Sequence, residues 1–202
     1  MPDPTRGVRL GEPLYSDALA VLGRWAPTSA AAGAARDRTV DLLAAGPVAM
    51  TRAHRPGHVT ASTLVVDGTG RMLLCLHGRM NTWMQLGGHC EPGDRTLADA
   101  ALREATEESG IAGLVLDPVP IDVDVHPVRC RPFGDAPATG THHFDVRYLA
   151  LAPLGATERV SAESQALGWF TVDNLPSALA DGVRSLFAPA AARTGQTRAD
   201  QM

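Results

Sequence analysis

Apolar residues recur along this chain with two periods, and the switches between them outline its elements. Tyr15 to Trp25 and Arg36 to Leu43 carry apolar positions at helical spacing and predict two short helices, separated by Pro27 and a linker of small residues. From His58 the period shortens. His58 to Asp67 and Met72 to His77 read as strands joined by Asp67-Gly68-Thr69-Gly70, a favourable hairpin turn. Ile121, Val123 and Val125 alternate with Asp122, Asp124 and His126, while His143, Asp145 and Arg147 stand opposite Phe144, Val146 and Tyr148 within Thr141 to Leu149. Between these two strands, Pro127 to Gly140 reads as a long loop carrying three prolines with Arg129 and Arg131, of a length that is often functional or mobile. Beyond Pro189 the chain is small and polar, and disorder is expected.

One helix lies among the strands. Leu97, Ala98, Ala101, Leu102 and Ala105 recur at helical spacing, Thr96 and Asp99 form a capping pair before them, and Gly110 is a natural left-handed stop. Strands alternating around a central helix predict an α/β/α sandwich with a mixed central sheet. Three segments are expected: a helical extension over 1–56, the α/β domain over 57–188 and a disordered tail over 189–202.

Composition narrows the function classes. At 202 residues with 45% hydrophobic and 20% charged content, the chain can bury one sizeable core. A net charge of −4 supplies no global attraction to nucleic acid or anionic membrane. In the first 56 residues seven Arg face five acids, too small a surplus for a DNA-binding module. All 18 basic residues are Arg, which alanine-rich tracts such as Ala30 to Ala32 make a matter of coding bias rather than phosphate recognition. Cys75, Cys90 and Cys130 form an odd set without C-x-x-C pairing, against a disulfide scaffold or zinc knuckle. The opening residues lack an apolar signal core and no run suffices to cross a bilayer, so a cytoplasmic setting is expected.

The chemistry concentrates between Leu86 and Ile111. A Gly87-Gly88 loop leads into the helix bearing Glu104, Glu107 and Glu108, which at about 100° per residue fall within an arc of roughly 100°. Like charges so placed repel, and a divalent ion with a preference for hard oxygen ligands, Mg²⁺ or Mn²⁺, removes the conflict. Arg103 stands four residues before Glu107 and can fix its rotamer.

These residues resemble the Nudix box, G-x5-E-x7-R-E-U-x-E-E-x-G-U with U aliphatic. Gly88 matches the leading glycine, Arg103-Glu104 the Arg-Glu step, Ala105 the first aliphatic position, Glu107-Glu108 the acidic pair, and Gly110-Ile111 the close. Two departures stand out: the loop acid is Asp94 rather than Glu, and eight residues instead of seven separate it from Arg103. The likeness extends over about 57–188, with His58 to Asp67 similar to the family's first core strand, Met72 to His77 and Trp83 to Gly88 similar to the strand and approach to the box, and Gly168-Trp169-Phe170 followed by Asn174-Leu175-Pro176 similar to its closing strand and final helix.

The resemblance implies a Nudix-like α/β/α sandwich and a metal-dependent pyrophosphohydrolase that cleaves a diphosphate linkage in a nucleoside diphosphate derivative. It implies Mg²⁺ or Mn²⁺ held by Glu104, Glu107, Glu108 and the Gly88 carbonyl, with Glu104 also serving as general base. Glu163, before Trp169, stands where several family members place another metal-binding or water-activating acid, with a surface Glu as the plain alternative. Arg79, Arg129 and Arg131 are candidate phosphate grips, and any one of them can equally be a solvated charge. His143, like His89, His126 and His142, is a candidate for the substrate cleft, weighed against ordinary cross-strand contacts. Trp83, Phe133 and Tyr148 are candidates for base stacking, with the core as the alternative for Trp83 and Tyr148. The competing function is a regulatory module that binds a nucleotide or nucleotide sugar without hydrolysis. The expected partner is a small diphosphate; nucleic acid and membrane are not expected, and a homodimer is compatible with the family.

Overall fold

The structure, a computed structural model, describes residues 11–78, 80–131, 137–161 and 164–199. Its helices are α1 (Glu12–Arg24), α2 (Ala30–Leu43), α3 (Leu97–Ser109) and α4 (Phe187–Ala199). Its strands are β1 (His58–Val66), β2 (Met72–His77), β3 (Trp83–Met84), β4 (Leu86–His89), β5 (Val115–Leu116), β6 (Asp122–Cys130), β7 (Thr139–Leu151) and β8 (Ser164–Phe170). All eight strands join one sheet in the order β3-β2-β1-β7-β5, with β4 on β1, β6 on β7 and β8 on β2. The architecture is the mixed α/β fold expected from the alternation of strands and helices. Among the described residues no helix is long and apolar enough to cross a membrane.

Contacts group the chain into two units whose borders fall inside β1, β4, α3, β6 and β7. In the unit formed by 62–88, 101–122 and 147–202, period-2 patterning buries both faces of the strands. Leu64, Val66, Met72, Leu74 and Leu149 pack with Val183 and Leu186, which precede α4, and with Ala190 in its first turn. The alternate positions Val65, Leu73, Cys75 and Ala150 pack with Ala105 of α3 and with Ile111 and Leu114. A sheet with apolar layers on both faces requires helical cover on both, the reason for a sandwich rather than a single-sided sheet. The hairpin expected at Asp67 is present, with Val65 opposite Leu73 and Val66 opposite Met72. Its turn is held by the Asp67 carboxylate, which accepts from the Thr69 and Arg71 N–H groups and from the Arg71 guanidinium.

A buried ion pair also belongs to this unit. Arg147 Nη1 lies 3.2 Å from Asp122 Oδ2 and donates to the Gly182 carbonyl at 3.1 Å, while the Ser185 hydroxyl donates to the same carboxylate oxygen at 3.1 Å.

The other unit holds 1–61, 89–100 and 123–146. Leu14, Ala18 and Leu22 make a fully buried stripe along α1 at i, i+4 spacing. Tyr15 donates to the Leu43 carbonyl at the end of α2. The Asp17 carboxylate accepts the Leu97 backbone N–H at 2.8 Å, so α1 satisfies an orphan donor at the start of α3. Thr96 and Asp99 complete that start as the expected capping box, each side chain accepting the other's backbone N–H at 2.9 and 3.0 Å.

The structure corrects the sequence reading at four places. Helix α2 begins at Ala30 because Ser29 caps it, accepting the Ala32 N–H at 3.1 Å, so the alanine tract is helix and not linker. The segment 83–88 is two short strands, β3 on β2 and β4 on β1. The loop between Pro127 and Gly140 is shorter than expected, since β6 runs through Pro127 to Cys130 and β7 starts at Thr139. Among the described residues strand β6 pairs with β7 alone, and an edge position tolerates a residue without an N–H. Finally, residues 187–199 form α4 where disorder was expected beyond Pro189. Pro189 falls in the first turn, whose N–H groups have no intrahelical acceptor, and the following alanines have the highest helix propensity.

Candidate functional site

Helix α3 ends where the sequence asks it to. Gly110 has φ of 66°, and a Cβ there would lie 2.9 Å from Arg159 Cβ, so glycine is required on two counts. Near its C-terminal end Glu104, Glu107 and Glu108 share one face, the first two held by Arg103 and the third by the glycine loop. Arg103 Nη1 donates to Glu104 Oε1 at 3.0 Å and to Glu107 Oε2 at 3.1 Å, so one guanidinium bridges two carboxylates. Glu108 Oε2 accepts the Gly87 backbone N–H at 2.9 Å. Glu104 lies directly under the glycine loop: a Cβ on Gly88 would come within 2.7 Å of its carboxyl carbon and Oε1 and 2.8 Å of Oε2. Only glycine leaves the carboxylate that room, which gives the loop–helix contact a steric reason beyond turn geometry.

The donor chemistry fits a divalent ion of the Mg²⁺ class. Three carboxylates and a neighbouring main-chain carbonyl are hard oxygen ligands, and Arg103 offsets only part of their charge. Glu104 is largely covered while Glu107 is more than half exposed, so the face opens toward solvent at Glu107. Cys75, behind Glu108, is excluded as a nucleophile: burial and then the Glu108 charge push its thiol up to about 12.

The other predicted residues distribute differently. Asp94, standing where the family's loop acid is expected, is buried and accepts the Glu91 N–H at 2.7 Å, closing the turn before α3. Arg129 is exposed and donates to the Ala138 carbonyl, and Arg131 is exposed. Arg79, Glu163 and Phe133 lie outside the described residues. Trp83 packs edge-on against Phe170 at 4.9 Å and borders the apolar layer, and Tyr148 is fully buried, so both are core residues.

His143 enters a group that spacing did not bring together. Its ring centroid lies 4.9 Å from that of His58 and 5.0 Å from that of His89, and those two stack at 5.0 Å. Cys130 Sγ lies 3.3 Å from His89 Nε2. Burial drives all three imidazoles toward the neutral form, with His58 lowered to about 3, His89 to about 2 and His143 to about 4. The Arg52 charge adds to each of these shifts. His58 and Cys130 carry no signal in the sequence, because His58 lies 31 or more residues from each partner and Cys130 falls in the stretch 127–140 that reads as a loop.

The NUDIX domain matches residues 56–189. Among solved structures, a C. elegans Ap4A hydrolase in a binary complex is 18% identical with a TM-score of 0.50, over 68% of this chain and 98% of that one. A MutT NUDIX hydrolase from Burkholderia pseudomallei is 29% identical with a TM-score of 0.47, over 66% and 97%. An ADP-ribose pyrophosphatase from Streptococcus suis is 20% identical with a TM-score of 0.42, over 67% and 90%. The matched domain takes in the glycine loop, the Arg-Glu step and the acidic pair, and the chain belongs to the Nudix family, as a hydrolase acting on phosphoanhydride bonds.

Proposed function

We propose that this hydrolase is a metal-dependent pyrophosphohydrolase that cleaves the diphosphate linkage of a nucleoside diphosphate derivative. Glu104, Glu107, Glu108 and the Gly88 carbonyl would hold Mg²⁺ or Mn²⁺. The observation that carries this reading is the fit of the Glu104 carboxylate beneath a glycine that has no room for a Cβ, with Arg103 bridging Glu104 to Glu107. When bound, the ion supplies Lewis-acid stabilisation of phosphoryl oxygens and a lowered pKa for a coordinated water.

The chain's own contribution is positional. Arg103 removes two carboxylate rotor freedoms before any ligand arrives, so less ordering is needed at the moment of binding. The Gly87 N–H fixes Glu108 in the same way. Glu104 takes the proton of the attacking water on a carboxylate oxygen and is the proposed general base. Arg129 and Arg131, both exposed, are the proposed grips for substrate phosphate. The C. elegans protein of the same fold is an Ap4A hydrolase, which supports dinucleotide and other nucleotide-derived diphosphates as the first compounds to screen.

Phosphate release from a panel of such diphosphates, with Mg²⁺ or Mn²⁺, tests this directly. The double variant Glu107→Gln with Glu108→Gln is expected to lose turnover on the order of 10³-fold while its circular dichroism and Tm stay unchanged. Turnover retained in that folded variant overturns the assignment.

A further inference from the structure

His58, His89, Cys130 and His143 each offer one ligand atom, and these four atoms all lie within 4.8 Å of one another. Among the described residues they are the one such group of histidine, cysteine and acidic side chains. They come from four strands: His58 opens β1, His89 closes β4, Cys130 closes β6 and His143 lies within β7. Sγ of Cys130 is 3.3 Å from Nε2 of His89 and 4.0 Å from Nε2 of His58. Tetrahedral ligation at about 2.0–2.3 Å puts donors roughly 3.3–3.8 Å apart, so the Sγ–His89 pair is already at ligand spacing and the widest separations need to close by roughly 1 Å.

Two further observations point to a ligand. His58 Nδ1 and His143 Nε2 are buried without a hydrogen-bond partner. Two such orphans in one cluster are costly unless something absent from a protein-only hydrogen-bond network satisfies them. His58 is fully buried and Cys130 8% exposed, so bulk water is a poor candidate for that role. Three imidazoles and a thiol are borderline-soft donors that suit Zn²⁺ and not Mg²⁺.

We propose that His58, His89, Cys130 and His143 form a closed, structural Zn²⁺ site that ties together β1, β4, β6 and β7. Four protein ligands leave no open position for water or substrate, which assigns the ion to holding strands and not to the reaction. Loading releases one proton, from the Cys130 thiol, and leaves a site charge of +1, the sum of Zn²⁺, one thiolate and three neutral imidazoles.

The reduced full chain, freed of metal by chelation, is titrated with Co²⁺ as the spectroscopic probe and then with Zn²⁺. One Co²⁺ per chain is expected to bring a thiolate-to-cobalt charge-transfer band and the visible bands of tetrahedral coordination, both lost when one equivalent of Zn²⁺ is added. Zn²⁺ loading is expected to raise the Tm on the order of 10 °C. Cys130→Ser should lose the charge-transfer band and the Zn²⁺-dependent rise. Cys75→Ser, Cys90→Ser and the Glu107→Gln with Glu108→Gln pair should keep both, which separates this site from the acidic helix. If Cys130→Ser does not fold, zinc X-ray absorption on the wild-type chain decides, with three nitrogens and one sulfur expected. Failure to take up one equivalent, a charge-transfer band that survives in Cys130→Ser, or a zinc spectrum without sulfur overturns the proposal.

Discussion

The acidic face of α3 and the cluster of His58, His89, Cys130 and His143 are both concentrations of ligand-bearing side chains, built on opposite principles. The first spans five residues of one helix and positions its carboxylates through Arg103 and the Gly87 N–H, with Glu107 open to solvent. The second draws on four strands and keeps its imidazoles neutral by burial. A helix supplies convergence by periodicity, so the spacing of its acids is also their geometry. A sheet supplies convergence by pairing, so residues far apart in the chain meet only once register is set.

Four experiments can break or sharpen this contrast. Gly88→Ala should have the largest effect, a fall in turnover on the order of 10²-fold, because the new Cβ must displace the Glu104 carboxylate. Its Co²⁺ signature at Cys130 should be unchanged, and near-normal turnover would show that Glu104 need not occupy that cradle. Arg103→Met should come next, with turnover reduced about tenfold, since it removes an orienting partner and not a ligand. A larger fall than in Gly88→Ala would move Arg103 from an orienting role to contact with substrate.

The third experiment uses pH. The three imidazoles have folded pKa values of about 3, 2 and 4, below the unfolded value near 6.5. The unfolded chain therefore binds protons first as pH falls, and stability of the metal-free chain should be lost progressively from about pH 6.5 toward 4 and below. It should be flat in this respect above pH 7. Urea midpoints across pH 4–8 check this, and a flat profile would mean the rings are not sequestered. Thr96→Ala should give the smallest effect, about 1 kcal/mol of stability by urea unfolding, from loss of the α3 cap that accepts the Asp99 N–H. Neither metal signature should change in that variant.

The same contrast explains what could be read in the chain. The strand pattern, the Asp67 hairpin, the capping of α3 and the acids of its last turns are local features, and each was legible from spacing within a dozen residues or fewer. Cys130 could not be paired with His58 across 72 positions, because nothing in either neighbourhood encodes the β6–β7 register. The alanine tract at 30–32 and the segment after Pro189 misled for another reason. Small residues read as linker or tail, yet the first stretch becomes helix under the Ser29 cap and the second where Ala190 packs on an apolar layer. Asp94 shows the limit of motif transfer, since its carboxylate closes a turn.

The hydrogen bond from Leu97 to Asp17 bears on how the molecule can be cut down. The family match begins at residue 56, so a chain trimmed to that span would lose Asp17 and the α1 segment around it. The acid-bearing helix would then start with an amide deprived of its acceptor, and rate comparisons between trimmed and intact chains would mix fraying of that first turn with chemistry. What looks like a dispensable leader is, for this helix, part of the ignition.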